Sequence, residues 1–269
     1  MKNNSTIARD FMENGRSEAC PVIDMHGHYG PFGGIYFPAP EAKGMLATMD
    51  RSGVASIICS SHAAFVDMER GNEEMAQVVR QHPGRFFGYC TINPNYPESV
   101  TRELERFPHA PGFVGLKFHP SWHEYPITGD RYKPALEYAE EHRLIVLSHS
   151  WGKSEYDGPS LFAKVATKYS RVTFLMGHAG YGEWDTAFSV ARQHLNVYLE
   201  LTAAYKVHGI ITQMVQEVGS EKVVFGTDLP WFDPHYGIGA VCFSRITDDD
   251  RHNILHRNAE RLLGCTAEG

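Results

Sequence analysis

The sequence lacks the features of several protein classes. Its 269 residues include five cysteines, an odd number with no CxxC pair, which argues against a disulfide framework and a cysteine zinc knuckle. No run of about 18 apolar residues occurs, and residues 1–20 hold no apolar signal core, so we expect neither a membrane span nor secretion. Lysine and arginine are scattered and the net charge is −7, so nucleic acid is not an expected partner. The expected location is the cytoplasm.

The chain also lacks any linker, low-complexity repeat or charge block that would divide it into domains. Its length falls in the range of single-domain α/β barrels. Residues 1–20 are polar, and we expect them to be an N-terminal extension that precedes the fold and becomes ordered only by docking on a neighbour. Residues 21–269 are predicted to form the domain itself.

Short apolar runs recur along that domain at intervals of 25 to 32 residues. The eight predicted strands are 22–28, 54–61, 85–92, 113–119, 144–150, 172–178, 197–202 and 223–228. Between them, helical spacing of apolar residues predicts helices at 72–82, 97–107, 133–142, 160–169 and 211–218. The tail after Asp248 predicts a closing helix or helix pair that stops at Gly264.

Strands that are almost entirely apolar indicate a parallel sheet covered by helices on the outside. Eight strand-helix units predict a single-domain (β/α)₈ TIM barrel. The alternative is an open doubly wound sheet, but no GxGxxG motif follows the first strand.

Ionisable residues stand at the carboxyl ends of these strands, although a buried strand normally has none. They are His26, His28, Lys117, His119, His149, His178 and Asp228. All eight strand ends of a (β/α)₈ barrel meet at one mouth, so these side chains are expected to converge there. Within the HxH pair, residues i and i+2 share one strand face about 6.6 Å apart and can bind one cation. The alternatives are a polar pair in a strand-end loop for His26 and His28, and a hydrogen-bonded histidine at a strand edge for His149 or His178. For Asp228 the alternative is a helix-capping or turn residue.

At these motifs the chain resembles the amidohydrolase superfamily, specifically the amidohydrolase-related branch of metal-dependent hydrolases and decarboxylases. The matching segments run in family order from residue 22 to 264. They are DMHGH at 24–28, GLKFHP at 115–120, SHS at 148–150, GHAG at 177–180, FGTDLP at 225–230 and ILHRNAERLLG at 254–264.

The resemblance implies that one divalent metal is held by four residues, namely His26, His28, His149 and Asp228. Zn²⁺ is the metal we expect first, although histidine and carboxylate ligands also suit Mn²⁺, Fe²⁺ and Co²⁺.

Two further residues take alternative roles in this resemblance. His178 would contact the metal-bound water or be a ligand of a second metal. Lys117 would be a carboxylated bridging ligand if the centre is dinuclear; the alternative, which we favour together with a single metal, is a structural lysine paired with an acid.

The resemblance implies an enzyme, and the reaction we expect first is hydrolysis. A metal-activated water would cleave a C–N or C–O bond of a small amide, lactone or ester, with Asp228 transferring the proton and His178 orienting the water or stabilising an oxyanion. The alternative is a nonoxidative decarboxylase or hydratase, in which Asp228 moves a proton to or from carbon. A second alternative, from another class, is a metal-free binding protein on a barrel scaffold.

The expected partner is a small, aromatic or acidic molecule; homo-oligomerisation is left open. Aromatic residues in the loops after the strands suit a planar ligand, or else pack on one another. The residues predicted to bind substrate are His119, Tyr29, Trp122, Trp151 and Trp231. For a carboxylate substrate, the candidate cations at the mouth are His119, His123, Arg131, His62 and Arg70.

Overall fold

The fold is a closed ring of eight parallel strands, seen in a computed structural model that describes residues 5–106 and 110–264. In the order of the sheet, the strands are β1 (Val22–Tyr29), β2 (Val54–Ser61), β3 (Phe86–Ile92), β4 (Phe113–Phe118), β5 (Ile145–Ser148), β6 (Thr173–Met176), β7 (Val197–Glu200) and β8 (Val223–Val224). Hydrogen bonds from Met25 N to Phe225 O (2.9 Å) and from His28 N to Leu229 O (2.8 Å) join the first strand to the chain after β8. The predicted (β/α)₈ barrel is therefore confirmed.

Helices alternate with the strands and cover the outside of the ring. They are α1 (Thr6–Asn14), α2 (Ala42–Ser52), α3 (Met68–Gln81), α4 (Pro97–Arg106), α5 (Pro120–His123), α6 (Lys133–His142), α7 (Pro159–Lys168), α8 (Trp184–Gln193), α9 (Ile210–Val218), α10 (Pro234–Phe243), α11 (Asp248–His252) and α12 (Asn258–Leu263). Five of them correspond to the helices predicted from spacing, except that residue 107 lies outside the described residues. Within the described ranges, no helix combines the length and apolarity needed to cross a membrane.

The predicted closing helix pair is also present at the end of the chain. Helix α11 begins with a capping box, in which Thr247 and Asp250 each accept a hydrogen bond from the backbone of the other. A π-helical turn, Asn253–Arg257, continues into α12. Gly264 ends the helix with a φ of 71°, a left-handed conformation that glycine adopts without steric cost.

Strands β5 to β8 end earlier than the sequence predicts. The predicted strands included His149, His178 and Asp228, but these residues lie in the turns that follow β5, β6 and β8. His178 and Asp228 have positive φ angles of 57° and 61°, which remove their backbones from the extended conformation. Residues other than glycine seldom adopt a positive φ because it strains the backbone. Such strained residues cluster at functional sites.

The N-terminal extension contains the first helix, which packs against this chain's own barrel. Ile7 and Ala8 of α1 are buried, and the helix contacts α10. Ser5 caps the helix, with its Oγ accepting a hydrogen bond from Ala8 N (3.0 Å). The surface on which this segment is ordered therefore belongs to the same molecule.

A small apolar cluster fills the barrel beneath the site. It joins Met25 of β1, Tyr89 of β3, Leu147 of β5 and Val224 of β8, among others, and all four are fully buried. Side chains from opposite strands of a closed ring can meet only inside it. Above this layer, ionisable side chains replace the apolar ones.

Candidate metal centre

The first two candidate ligands lie side by side on β1. The pairing of β1 with β2 contains a bulge between Asp24 and Gly27, a feature that often re-aims side chains next to active sites. A Cβ atom at Gly27 would lie 2.4 Å from Ile57 Cδ1, so a larger residue here would displace the Ile57 side chain. The imidazoles on either side of it, His26 and His28, are both buried, with ring centroids 5.2 Å apart.

Asp228 completes a group of three. Its Oδ1 lies 3.1 Å from His26 Nε2 and 3.2 Å from His28 Nε2. The structure thus brings three of the four predicted ligands together, with ligand atoms that all lie within 4.8 Å of one another.

The donor atoms of this group fit a cation. The Asp228 Oδ1 is buried and accepts no hydrogen bond from any of the described residues, although two ring nitrogens are close to it. An orphaned, charged oxygen in a buried site is costly, whereas a cation among these three atoms would satisfy all of them. Two imidazole nitrogens and a carboxylate oxygen are also the ligand types that divalent transition metals prefer.

Hydrogen bonds on the far side of each imidazole orient it for this role. His26 Nδ1 is 2.7 Å from Glu200 Oε2, and His28 Nδ1 is 3.0 Å from Ser60 Oγ. A ring that donates its Nδ1 proton to an outer partner leaves Nε2 free to bind a metal. In both residues Nε2 is the atom that faces Asp228.

Glu200 is a residue of the candidate centre that the sequence reasoning missed. It ends β7, is fully buried, and also accepts hydrogen bonds from Thr202 N (2.7 Å) and His178 N (3.2 Å). The signal was present, because Glu200 is an ionisable residue inside the apolar run at 197–202, which is the criterion that identified the other candidates. No comparable signal marks Asp157, a buried loop residue whose carboxylate contacts His149 Nδ1.

His149, the fourth predicted ligand, belongs to a different group of side chains from His26, His28 and Asp228. Its Nδ1 is 2.9 Å from Asp157 Oδ2, and its ring stacks on His119 at 4.2 Å between centroids. These three residues form a second group with ligand atoms within 4.8 Å of one another. Because Nδ1 of His149 contacts Asp157, Nε2 is the nitrogen left for a metal, and a metal role for His149 stays a prediction.

His178 and Lys117 flank the central group. The His178 ring lies between two candidate ligands, 5.3 Å from the His26 centroid and 4.8 Å from that of His149. The Lys117 Nζ is 2.7 Å from His26 Nε2. Among the described residues no carboxylate lies within 4 Å of this amine, so the expected pairing of Lys117 with an acid is wrong. A bridging role in a dinuclear centre stays a prediction.

Burial dominates the electrostatics of this site. It lowers the pKa of Lys117 to about 8, against the opposing effects of Asp228 and Glu200. Burial also lowers the pKa of His178 to about 3. For Asp228, burial acts to raise the pKa, but the neighbouring imidazoles of His26 and His178 outweigh it and hold the pKa well below its usual range. The His178 imidazole is thus neutral and the Asp228 carboxylate charged, the protonation states that metal ligands require.

A cavity of about 370 Å³ opens above these residues. Its floor is formed by the candidate metal ligands and its walls are mainly aromatic. The wall residues are Phe32, Phe65, His119, Trp122, Trp151, Trp231 and Phe232. The volume suits a single small molecule, and aromatic walls suit a planar one.

Four of the five predicted substrate-binding residues line this cavity, namely His119, Trp122, Trp151 and Trp231. Tyr29 does not, which corrects its predicted placement. As the residue after His28 on a strand, it projects to the opposite side, where nearby Glu74 of α3 adds to the effect of burial in raising its pKa.

Lys206 is the mouth cation that the sequence reasoning missed. It follows β7, lines the cavity, and its Nζ lies 3.8 Å from the centre of the Phe232 ring. Of the five cations suggested from the sequence, only His119 reaches the cavity wall. The guanidinium of Arg131, for example, is outside the cavity lining and donates a hydrogen bond to Asn95 Oδ1 (3.2 Å).

Comparison with known proteins agrees with this architecture. The family model described as Amidohydrolase matches residues 23–265. The chain belongs to the amidohydrolase family. The match includes every candidate ligand named above and runs from the second residue of β1 past the end of α12.

Curated relatives of this amidohydrolase are decarboxylases. The gamma-resorcylate decarboxylase of Polaromonas sp. (strain JS666) is 22% identical over 277 residues, which cover 80% of this chain and 85% of the relative. The enzyme of the same name from Rhizobium sp. (strain MTP-10005) is 19% identical over 281 residues, covering 81% and 85% of the two chains.

Solved structures share the fold at low identity. A 5-carboxyvanillate decarboxylase from Sphingomonas paucimobilis superposes with a TM-score of 0.72 and 18% identity, over 92% of this chain and 100% of the other. A dihydroxybenzoic acid decarboxylase from Polaromonas sp. JS666, solved with bound manganese and 2-nitroresorcinol, gives a TM-score of 0.74 and 17% identity, over 91% and 97%.

Proposed function

We propose that this amidohydrolase-family protein is a metal-dependent, nonoxidative decarboxylase of a hydroxylated aromatic carboxylate. The observation that carries the proposal is the buried group His26, His28 and Asp228 at the floor of an aromatic-walled cavity. The curated relatives are decarboxylases and support the lyase reaction over hydrolysis. The sequence motifs alone favour hydrolysis, but only because hydrolases are the broader class.

A divalent cation is the cofactor that this proposal requires, and manganese in a relative's structure supports that class of ion more than zinc in particular. His26, His28 and Asp228 would hold it, with His149 as the predicted fourth ligand. When bound, such a cation supplies Lewis acidity that polarises substrate oxygens.

The protein's own side chains would position the substrate. Trp122, Trp151 and Trp231 offer flat apolar surfaces for an aromatic ring and exclude water from it. The ammonium group of Lys206 at the mouth would attract the anionic substrate into the cavity.

Proton transfer to carbon is the step assigned to Asp228. The ionised Asp228 would first take up a proton from solvent and then deliver it to the ring carbon that bears the substrate's carboxylate, forming a C–H bond with a pair of ring electrons. The C–C bond to the carboxylate then breaks, its electron pair restores the aromatic ring, and CO₂ leaves. Asp228 is left ionised again, so one proton is consumed for each CO₂ released.

The decisive experiment supplies 2,6-dihydroxybenzoate and 5-carboxyvanillate to the manganese-loaded protein and measures trapped CO₂ together with the decarboxylated phenol. We expect one of these probes to be converted. Replacing the proton donor, Asp228→Asn, should lower kcat by about 100-fold or more, the usual contribution of a positioned acid or base. An exposed carboxylate on the outer surface, Asp185→Asn, is the matched control and should leave the rate unchanged.

Hydrolysis predicts a different outcome. If the protein releases acid from a panel of lactones, esters and amides, and no CO₂ from 2,6-dihydroxybenzoate or 5-carboxyvanillate, the decarboxylase proposal is wrong. The protein would then be a hydrolase. Turnover that is unchanged in Asp228→Asn would reject the proton-transfer role.

A further inference from the structure

A third group of side chains that could hold a metal ion lies away from the cavity. Cys20, which precedes β1, meets His252 and His256 of the closing helices, and one ligand atom from each lies within 4.8 Å of the others. Extended chain between Cys20 and His26 spans up to about 20 Å, towards the opposite end of β1. None of the three residues lines the proposed substrate cavity.

The imidazole rings of the two histidines lie next to each other, with one nitrogen of each ring directed at the other. They stand four residues apart, across the π-helical turn, with His252 Nδ1 2.9 Å from His256 Nε2. Two nitrogens bound to one tetrahedral ion at 2.0–2.1 Å lie roughly 3.4 Å apart, so a small separation of the rings would admit an ion.

Glu260 fixes the proton on one of these rings. Its Oε1 lies 2.8 Å from His256 Nδ1, so the ring donates that proton and presents an unprotonated Nε2. The same relation holds between Glu200 and His26 in the barrel. A carboxylate behind an imidazole is the usual support of a metal-bound histidine.

The surroundings favour a cation and allow one to enter. Asp248 and Glu260 lie near the thiol of Cys20, and the nearby Arg257 is paired with Asp249 at 3.3 Å. Cys20 itself is buried, whereas both histidines are partly exposed. An ion could therefore reach the thiol from solvent past the two rings.

We propose that Cys20, His252 and His256 form a second metal site, which binds a zinc-class divalent ion and ties the segment before β1 to the closing helices. One sulfur and two nitrogens are ligands that suit Zn²⁺ and Co²⁺, whereas the hard ions Mg²⁺ and Ca²⁺ prefer oxygen ligands. Three protein ligands leave one tetrahedral position for water. At the amino-terminal face of the barrel, such a site would act on stability rather than on catalysis.

Cobalt offers a test that is specific to this site. A thiolate bound to Co²⁺ gives a charge-transfer band in the near ultraviolet, and the proposed barrel centre contains no sulfur ligand. On titrating Co²⁺ into the full chain after dialysis against a chelator, we expect this band to appear and to saturate with the second equivalent of metal.

Variants then separate the two sites. Cys20→Ser should abolish the charge-transfer band and the binding of the second equivalent of Co²⁺, while the equivalent bound at the barrel centre remains. His256→Ala should weaken the binding of Co²⁺ at the Cys20 site at least tenfold. Cys265→Ser tests the thiol outside the described residues, and His142→Ala tests an exposed histidine elsewhere; both should keep the band. Circular dichroism checks that each variant is folded.

Two results would overturn the proposal. The absence of the band in the wild-type protein would mean that His252 and His256 are only a hydrogen-bonded pair. A band that persists in Cys20→Ser would assign it to another thiol. Both results are independent of decarboxylase activity, so the two proposals can fail separately.

Discussion

The single contact between Glu200 and His26 decides which nitrogen of that imidazole faces the site. With Oε2 only 2.7 Å from Nδ1, the carboxylate holds the proton on the far side of the ring and leaves Nε2 for a cation. Glu200 is itself held by the backbone amides of Thr202 and His178. The orientation of one candidate ligand thus depends on the end of β7, which is separated from β1 by β8 in the closed ring.

Replacing Glu200 by glutamine keeps the shape of this support but removes its charge. We expect Glu200→Gln to weaken binding of Mn²⁺ or Zn²⁺ to the barrel centre by 10- to 100-fold, as is usual for such outer partners. Isothermal titration of the metal-free protein measures the change.

An exposed carboxylate on α1, Glu13, provides the matched control for this prediction. The variant Glu13→Gln should bind metal as the wild type does. Equal metal affinities of the wild type, Glu200→Gln and Glu13→Gln would mean that the charge of Glu200 does not support metal binding by His26.

The identity of the candidate site was largely readable at the residue scale, but its geometry was not. An ionisable residue at the end of an apolar run marks His26, His28 and Asp228 because burial of such groups is costly without a partner. The grouping of His149 with Asp157 depends on a loop contact, which has no period in the sequence. Lys206 was missed for the same reason.

Among the elements, α3 owes its position to a close approach. The helix packs so tightly on the short turn His62–Phe65 that a Cβ atom at Gly71 would lie 2.2 Å from Ala64 N. That turn carries Phe65 into the cavity wall. A contact between two backbones therefore positions one wall of the proposed substrate site.

An alanine at this glycine should be harmful, although alanine is ordinarily favoured in helices by about 1 kcal/mol. We expect Gly71→Ala to lower the free energy of unfolding by about 1–3 kcal/mol because backbone atoms must move apart. Urea denaturation measures it.

The loop residue Gly33 supplies the comparison, since a Cβ atom there would meet nothing within 4 Å. Gly33→Ala should change the stability by no more than about 0.5 kcal/mol. A neutral or stabilising Gly71→Ala would show that α3 can shift at little cost.

Element order was predictable because apolar runs and helical spacing recur along the whole chain, as β2 and α6 illustrate by matching their predicted bounds. The early ends of β6 and β8 were not. Nothing in the apolar pattern of 172–178 or 223–228 announces that His178 and Asp228 leave the strand with a positive φ. Likewise α1, a polar segment, gains its order from burying two residues against α10.

The stability of the whole barrel should depend on pH through histidines that are buried without charge. His123 is one that lies outside the candidate metal centre, between Phe65 O and Tyr132 OH, each 3.3 Å from a ring nitrogen. Burial lowers its pKa from 6.5 to about 4, against the opposing hydrogen bond to Phe65 O.

The unfolded chain therefore binds this proton at a higher pH than the folded protein does. The stabilisation is complete above pH 6.5 and is lost as the pH falls towards 4, by up to about 3 kcal/mol. Chemical denaturation at several pH values should give a curve for His123→Gln that is flatter over this interval than that of the wild type.

Replacing the exposed His142 in the same way, as His142→Gln, should leave the wild-type pH dependence intact. A His123→Gln curve parallel to the wild type would assign the acid sensitivity to other buried groups.

The three grouped ligands straddle the junction where the ring of strands closes, two from the first strand and one from the turn after the last. A chain emerging from the ribosome therefore carries both imidazoles long before the carboxylate is synthesised. Any ion that needs all three must be loaded late, after synthesis has passed Asp228 and the segment after the last strand has paired with the first strand.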